Sequence, residues 1–192
     1  MWTGILLAAG RGSRFDPAGT RNKLLQTLDD NRSLAECSAA ALLSQITDVL
    51  VVVRPDSDVL ANRLAQPGCQ TTICVTADQG MSASLKHALQ LRSASRGWII
   101  ALADMPFVQT ATIRALLSAM QNGADIAVPV YQGRRGNPVG FSQKYLPQLL
   151  TLHGDQGARR LLQQFAVHEV LVDDAGIHRD IDFPADLAAS QG

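Results

Sequence analysis

Residues 4–14 read Gly-Ile-Leu-Leu-Ala-Ala-Gly-Arg-Gly-Ser-Arg, and this stretch decides the fold. Its apolar run at residues 4–8 has no alternating polar positions and passes directly into small and basic residues. Continuous apolar runs are typical of parallel strands that are covered on both faces, whereas half-exposed strands alternate. The stretch therefore predicts a buried parallel strand that ends in a glycine-rich turn.

The same alternation of apolar runs and helical stretches continues along the chain. Ser33 and Glu36 have the spacing of a capping box ahead of the first helical stretch. Repeated βα units without a Pro/Gly/Ser-rich linker predict an α/β fold, a single domain over residues 1–192 with a doubly wound, mostly parallel sheet. Beyond the first strand, the predicted strands are residues 49–53, 71–75, 98–102 and 125–129, and the predicted helices are residues 34–43, 57–65, 82–91 and 110–120.

Composition narrows the class of protein. The 192 residues are 46% hydrophobic and 18% charged with a formal net charge of +0, which is typical of a globular domain and disfavours a broad basic face for nucleic acid. No apolar run approaches the roughly 18 residues that cross a bilayer, and no basic segment precedes the first apolar run. We expect a cytoplasmic protein that binds neither nucleic acid nor membranes. Cys37, Cys69 and Cys74 form no C-x-x-C pair and are predicted to be buried thiols.

The turn after the first strand has the composition of a phosphate-binding loop. Small residues let a phosphate approach the main chain, and Arg14 and Lys23 supply positive charge. The dinucleotide motif is excluded because Phe15 stands where its third glycine belongs, and the GK[ST] of a Walker loop is absent. Asp104 follows the fourth strand at the same predicted sheet edge, where it suits Mg²⁺ held jointly with phosphate oxygens. The alternatives are a solvated glycine turn and a helix-capping aspartate.

Seven segments spread along the chain carry the further argument. They are LLAAGRGSRF (6–15), NKLL (22–25), GMSASL (80–85), ADMP (103–106), RGNPVGF (135–141), HGDQGAR (153–159) and DIDFPAD (180–186). In these segments the chain is similar to the molybdopterin nucleotidyltransferases, and in particular to the molybdenum cofactor cytidylyltransferases, which have a Rossmann-like nucleotidyltransferase fold. The segments occur in the family's order from one end of the chain to the other.

The resemblance implies a role for each matching residue. Arg14, Lys23 and Asp104 would be catalytic, and Asp104 and Asp182 would bind Mg²⁺. The stretch between Phe15 and Lys23 is longer than usual in the family, which leaves Arg21 as an alternative to Lys23. Nucleotide contacts would come from Leu7, Ala8, Ala9, Gly10, Arg14, Lys23, Gly80 and Ser82. Acceptor contacts would come from Arg135, Gly136, Asn137, Pro138, His153 and Asp155. Outside these sets, the remaining histidines, Asp180 and Asp186 are interpreted as structural or solvated.

The resemblance also implies a reaction: Mg²⁺-dependent transfer of CMP from CTP to the terminal phosphate of molybdopterin. The Ala8-Ala9-Gly10 form of the loop is the one associated with cytidylyl transfer. A molybdenum hydroxylase or its chaperone would be a transient partner. Three alternatives stay open: guanylyl transfer to molybdopterin, transfer to another phosphorylated acceptor, and a nucleotide-binding module without turnover.

Overall fold

The five predicted strands are present in the computed structural model, which describes residues 1–28 and 30–189 apart from the side chains of Gln156 and Arg159. The single-domain prediction also included residues 29 and 190–192, which lie outside the described residues. Each strand begins and ends within two residues of its predicted bounds. The strands are β1 (Trp2–Leu7), β2 (Asp48–Val53), β3 (Gln70–Ile73), β4 (Gly97–Leu102) and β5 (Ile126–Tyr131).

The sheet is doubly wound, with three further strands that complete it. The order is β3-β2-β1-β4-β7-β5-β6, where β6 is Arg134–Arg135 and β7 is Val139–Ser142. The last strand, β8 (His168–Leu171), pairs parallel with β5. Strand β7 lies between β4 and β5 and runs antiparallel to both. The sequence pattern predicted β4 and β5 as consecutive strands and did not predict β7. Strand order reverses between β1 and β4, where Leu7 and Leu102 are register partners. Ligands of such sheets bind beyond this point.

Both faces of the central strands are buried, which explains their unbroken apolar runs. In β1, Ile5 and Leu7 pack into one core cluster, while Leu6 and the following Ala8 pack into another on the opposite face. Because side chains of a strand alternate between faces, a strand that is covered on both sides needs apolar residues at every position. The central strands therefore hold the loops at their carboxyl ends on a rigid platform.

Helices cover the sheet, and four of them match the predicted bounds within one residue. These are α1 (Leu34–Leu43), α2 (Asp58–Ala65), α3 (Met81–Leu91) and α4 (Thr110–Gln121). Short helices α5 (Leu146–Leu150), α6 (Leu161–Gln164) and α7 (Pro184–Ala188) follow. Within the described residues, no helix is long and apolar enough to cross a membrane. The cysteines are buried and free, and burial raises the pKa of the Cys69 thiol to about 11.

The capping box at the start of α1 is confirmed. The Glu36 N–H donates to the Ser33 hydroxyl (3.3 Å), and the Ser33 N–H donates to the Glu36 carboxylate (2.8 Å). We expect Ser33→Ala to lower the free energy of unfolding by about 1 kcal/mol, measured by urea denaturation. Ser57→Ala is the matched control, because Ser57 precedes α2 without a side-chain capping bond. Equal effects of the two substitutions would contradict the capping role.

Candidate active site

The glycine-rich loop leaves β1 as an extension of the sheet and then turns sharply. Ala8 N–H still donates to the Val52 carbonyl (2.9 Å). Gly10 is exposed, with open space where a side chain would begin. At Gly12, φ is +63°, and a Cβ there would lie 3.1 Å from the Cβ of Lys23. Gly12 thus permits both the turn and the close approach of the lysine, while the small residues before it leave main-chain groups accessible to a phosphate.

Lys23, and not Arg21, is brought to the candidate site. The extra residues between Phe15 and Lys23 fold onto themselves, because Asp16 accepts hydrogen bonds from Thr20 Oγ1 (2.9 Å) and from Arg21 N–H (2.6 Å). The Arg21 guanidinium lies 5.7 Å from the centroid of the Phe15 ring. The Asn22 carboxamide accepts a bond from Leu24 N–H (2.9 Å) and starts the short 3₁₀ helix that carries Lys23.

Two carboxylates and two cations meet at the carboxyl ends of β1 and β4. Lys23 Nζ lies 2.7 Å from Asp104 Oδ2 and 3.2 Å from Asp182 Oδ1, and Arg14 Nη1 lies 2.8 Å from Asp182 Oδ2. Burial raises the pKa of Asp182, but the hydrogen bonds and charges of Lys23 and Arg14 outweigh burial and hold that pKa below its ordinary value. The structure thus gathers four residues that the sequence placed in the catalytic and metal groups.

The main chain also holds the two carboxylates together. Ile181 N–H donates to the Asp104 carbonyl (2.9 Å), which ties the carboxy-terminal segment to the end of β4. Asp186, interpreted as structural from the sequence, accepts bonds from the N–H groups of Asp182 (2.9 Å) and Phe183 (2.7 Å). These bonds fix the turn at Asp182. The Asp182 carboxylate therefore contacts the same Lys23 ammonium group as Asp104, although the two aspartates are far apart in the sequence.

A cavity of about 380 Å³ adjoins this cluster. Of the predicted nucleotide residues, Leu7, Ala9, Gly10, Lys23 and Gly80 line it. Ser82 is buried and lies outside the lining, whereas Ser84 of the same helix is part of it. Ala8 and Arg14 also lie outside the lining; Ala8 packs under the sheet and Arg14 reaches Asp182 from the exposed side.

Sequence reasoning missed a second charged cluster on the same cavity. Asp78 lies 2.8 Å from Arg11 Nη2 and 2.7 Å from Arg54 Nη2, and hydrogen bonds from Arg11 and then Arg54 lower the Asp78 pKa. All three residues line the cavity. Arg54 directly follows β2, so its position at a strand end was the available signal. Nothing in the local sequence pairs it with Asp78.

A second cavity of about 580 Å³ shares Leu7, Met81, Leu102 and Asp155 with the first. Among the predicted acceptor residues, Arg135, Gly136, Asn137 and Asp155 line it. His153 is exposed and Pro138 is buried, and both lie outside its lining. His178 and Asp180, interpreted as structural or solvated, lie in the lining instead, with His178 Nε2 donating to the Arg134 carbonyl (3.1 Å). The cavity combines apolar walls with basic, amide and carboxylate groups.

Gly80 lines the first cavity, packs against Asp155, which lines both cavities, and tolerates no side chain. Its φ is +105°, and a Cβ there would lie 2.6 Å from the Gly154 carbonyl carbon and 2.7 Å from Asp155 Oδ1. We expect Gly80→Ala to lower the free energy of unfolding by about 1–3 kcal/mol, measured by urea denaturation. Gly68→Ala is the control, since Gly68 has φ +108° but open space around it. If both variants behave alike, the close approach to residues 154–155 is unimportant.

The fold and this arrangement of a glycine loop, cations and paired carboxylates define an α/β nucleotidyltransferase. The chain belongs to the MobA-like NTP transferase domain family, whose model matches residues 4–170. It is 31% identical to the purine catabolism protein PucB of Bacillus subtilis over 193 residues, covering 94% of this chain and 91% of PucB.

Solved structures share the fold over almost the whole chain. Rv0371c from Mycobacterium tuberculosis has a TM-score of 0.85 at 24% identity, covering 99% of this chain and 96% of that one, and has also been solved with manganese. A Methanothermobacter nucleotidyl transferase has a TM-score of 0.84 at 22% identity, covering 100% and 96%. The molybdopterin-guanine dinucleotide biosynthesis protein A of Archaeoglobus fulgidus has a TM-score of 0.70 at 18% identity, covering 98% and 96%.

Proposed function

We propose that this protein transfers CMP from CTP to the terminal phosphate of molybdopterin in a Mg²⁺-dependent reaction, forming molybdopterin cytosine dinucleotide and pyrophosphate. The observation that carries the proposal is the contact of Lys23 Nζ with both Asp104 (2.7 Å) and Asp182 (3.2 Å) beside two adjoining cavities. One cavity suits a nucleotide and the other an acceptor. Their common wall is where the two phosphates would meet.

The paired carboxylates fit a magnesium ion. Among the residues that the structure describes, no group of three or more Asp, Glu, His or Cys side chains is placed to hold a metal. Mg²⁺ typically takes one or two carboxylates and fills its other positions with substrate phosphates and water. Asp104 and Asp182 would hold the ion, and the bound ion would neutralise charge on the triphosphate. The manganese complex of Rv0371c is consistent with a divalent metal in this fold.

The reaction needs positioning and charge neutralisation more than proton transfer. An oxygen of the acceptor phosphate, already an anion, forms a bond to the α-phosphorus of CTP, and the bond from that phosphorus to the β-phosphate bridging oxygen breaks. The electron pair of the broken bond leaves with pyrophosphate. No general base is required. Lys23 and Arg14 hold the triphosphate in line, and their positive charge stabilises the negative charge that develops on the leaving group.

The second cavity fits a large, partly apolar acceptor with an anionic end. Ile100, Met105 and Val139 form an apolar wall, while Arg135 and Asn137 offer donors to a phosphate or a heterocycle. Arg135 Nε also lies 2.8 Å from Glu169 Oε1, a pair whose two side chains are about half exposed and which an incoming phosphate can displace. A molybdenum hydroxylase or its chaperone would receive the product.

One structural neighbour and the description of the family support this acceptor. The Archaeoglobus fulgidus neighbour is named for molybdopterin-guanine dinucleotide biosynthesis, and the family itself is described as MobA-like. The preference for CTP over GTP rests on the Ala8-Ala9-Gly10 form of the loop. Guanylyl transfer is thus the leading alternative, followed by the same transfer to a different phosphorylated acceptor.

Turnover with molybdopterin and each of CTP, GTP, ATP and UTP, followed by pyrophosphate release, tests the proposal. We expect the highest kcat/KM with CTP and no release without divalent metal. Preference for GTP would overturn the cytidylyl assignment while leaving the transferase class intact. Thermal stabilisation by a nucleotide without any pyrophosphate release would indicate a binding module instead.

A further inference from the structure

Lys23 takes the place between the two candidate metal ligands. Its ammonium nitrogen contacts one carboxylate oxygen of Asp104 (2.7 Å) and one of Asp182 (3.2 Å), and its side chain is only 10% exposed. Gly12 and the cap formed by Asn22 hold the base of the lysine in place. The Lys23 side chain is therefore held in this position by packing and is not free in solvent.

The two roles of Lys23 exclude each other in time. An ammonium group that donates to both carboxylates occupies the space where a divalent cation would contact the same oxygens, and Mg²⁺ requires oxygens at about 2.0–2.1 Å. A lysine that contacts a triphosphate has to turn its nitrogen toward the phosphates. Its flexible four-carbon stem permits such a movement, which the rigid guanidinium of an arginine would make harder.

The geometry points to Lys23 as the resident cation of the carboxylate pair in the nucleotide-free enzyme, so that divalent metal binds tightly only after the triphosphate has drawn Lys23 away. This inference rests on the proposed function, because it assumes that Asp104 and Asp182 bind metal. The charges of the cluster support it: Lys23 and Arg14 balance Asp104 and Asp182. Carboxylates that are already neutralised attract a free metal ion weakly.

Arg14 is the second cation of the cluster, and it is held less firmly than Lys23. It pairs with Asp182 at 2.8 Å, but its side chain is 71% exposed, so solvent screens the pair and the arginine leaves at little cost. The buried lysine is the member of the cluster that opposes metal binding. Nucleotide and metal are then coupled: each favours the arrangement in which the other binds.

Binding of Mn²⁺ alone, without nucleotide or acceptor, tests this inference. The loss of the free Mn²⁺ signal in electron paramagnetic resonance gives the affinity directly. We expect Lys23→Met to bind Mn²⁺ about tenfold or more tightly than the wild type, because the coupling between linked sites is typically of this size. Lys144→Met is the matched control. Lys144 makes an ion pair of the same 2.7 Å length with Asp125, which directly precedes β5 and therefore lies at the opposite ends of the strands from the candidate site. Replacing Lys144 by Met changes the net charge of the protein by the same amount as Lys23→Met.

The location of the bound ion is tested in the same assay. The double variant Lys23→Met/Asp104→Asn is expected to lose the gained affinity, which shows that the ion sits on the carboxylate pair. Lys23→Gln repeats the measurement with a polar side chain, and circular dichroism checks that each variant is folded. The inference is overturned if Lys23→Met and Lys23→Gln bind Mn²⁺ no more tightly than Lys144→Met. It is also overturned if wild-type protein alone is saturated at the Mn²⁺ concentration that saturates turnover, a result that needs no variant.

Failure of this inference and failure of the proposed function give different results. Mn²⁺ binding requires neither molybdopterin nor a particular base, so the lysine can prove irrelevant to metal affinity while CMP transfer stands. Conversely, a protein that prefers another nucleotide or acceptor would still show the Lys23 effect.

Discussion

Replacing Asp104 by asparagine is expected to lower kcat/KM for nucleotidyl transfer by at least about 10³-fold. The amide has nearly the same shape, so the end of β4 is preserved, but it lacks the negative charge that a divalent metal requires. Lys23 would then keep an ion pair only with Asp182, at 3.2 Å. Pyrophosphate release from CTP and molybdopterin at saturating Mg²⁺ measures the effect.

Asp125→Asn is the matched control for this experiment. Asp125 also forms a 2.7 Å ion pair with a lysine, Lys144. It directly precedes β5, next to Ser142, at the opposite ends of the strands from the candidate site. We expect its kcat/KM to stay near the wild-type value, since charge pairs on the surface contribute little. An Asp104→Asn enzyme with unimpaired turnover would show that the end of β4 does not take part in metal binding.

Lys23→Met is expected to lower kcat/KM by about 10²–10³-fold, the usual cost of removing one preorganised donor from a transition state. Arg14→Met should cost about tenfold, because the Arg14 side chain is 71% exposed and that of Lys23 is 10% exposed. The same pyrophosphate assay ranks the two variants. This loss of turnover accompanies the tighter binding of Mn²⁺ alone, so one substitution moves two observables in opposite directions.

Lys23→Arg is a control that keeps the positive charge of residue 23 but changes the shape of its side chain. A Cβ on Gly12 would already lie 3.1 Å from the Lys23 Cβ, and a planar guanidinium at this crowded position cannot turn as an ammonium does. We therefore expect Lys23→Arg to recover only part of the turnover. Full recovery would indicate that positive charge alone matters, and an effect of Arg14→Met larger than that of Lys23→Met would reverse the assigned importance of the two cations.

Local patterns in the sequence were sufficient for most of the framework. The continuous apolar run of β1 predicted burial on both faces, and two core clusters on opposite sides of the sheet confirm it. The pair of Ser33 and Glu36 predicted a helix start that the structure has. These features depend on residues within a few positions of one another, which is why periodicity and capping rules detect them.

From the residues alone, the proximity of site residues could be predicted only where a simple topological rule applies. The glycine loop and Asp104 each follow a strand, and parallel strands end at one edge of the sheet, so their proximity could be predicted. Asp182 came from family resemblance alone. Its partner Lys23 is 159 residues away, and nothing in the chain between them specifies that contact.

The sequence by itself determined the class of fold, the position of the phosphate loop and the strand-end aspartate, because each follows from short-range patterns. Only the tertiary structure decided that antiparallel β7 lies between β4 and β5, that Lys23 and not Arg21 reaches the carboxylates, and that His178 lines the second cavity. These outcomes depend on contacts between distant segments, whose free energy is set by packing and charge pairing in the complete fold. No local pattern encodes that balance.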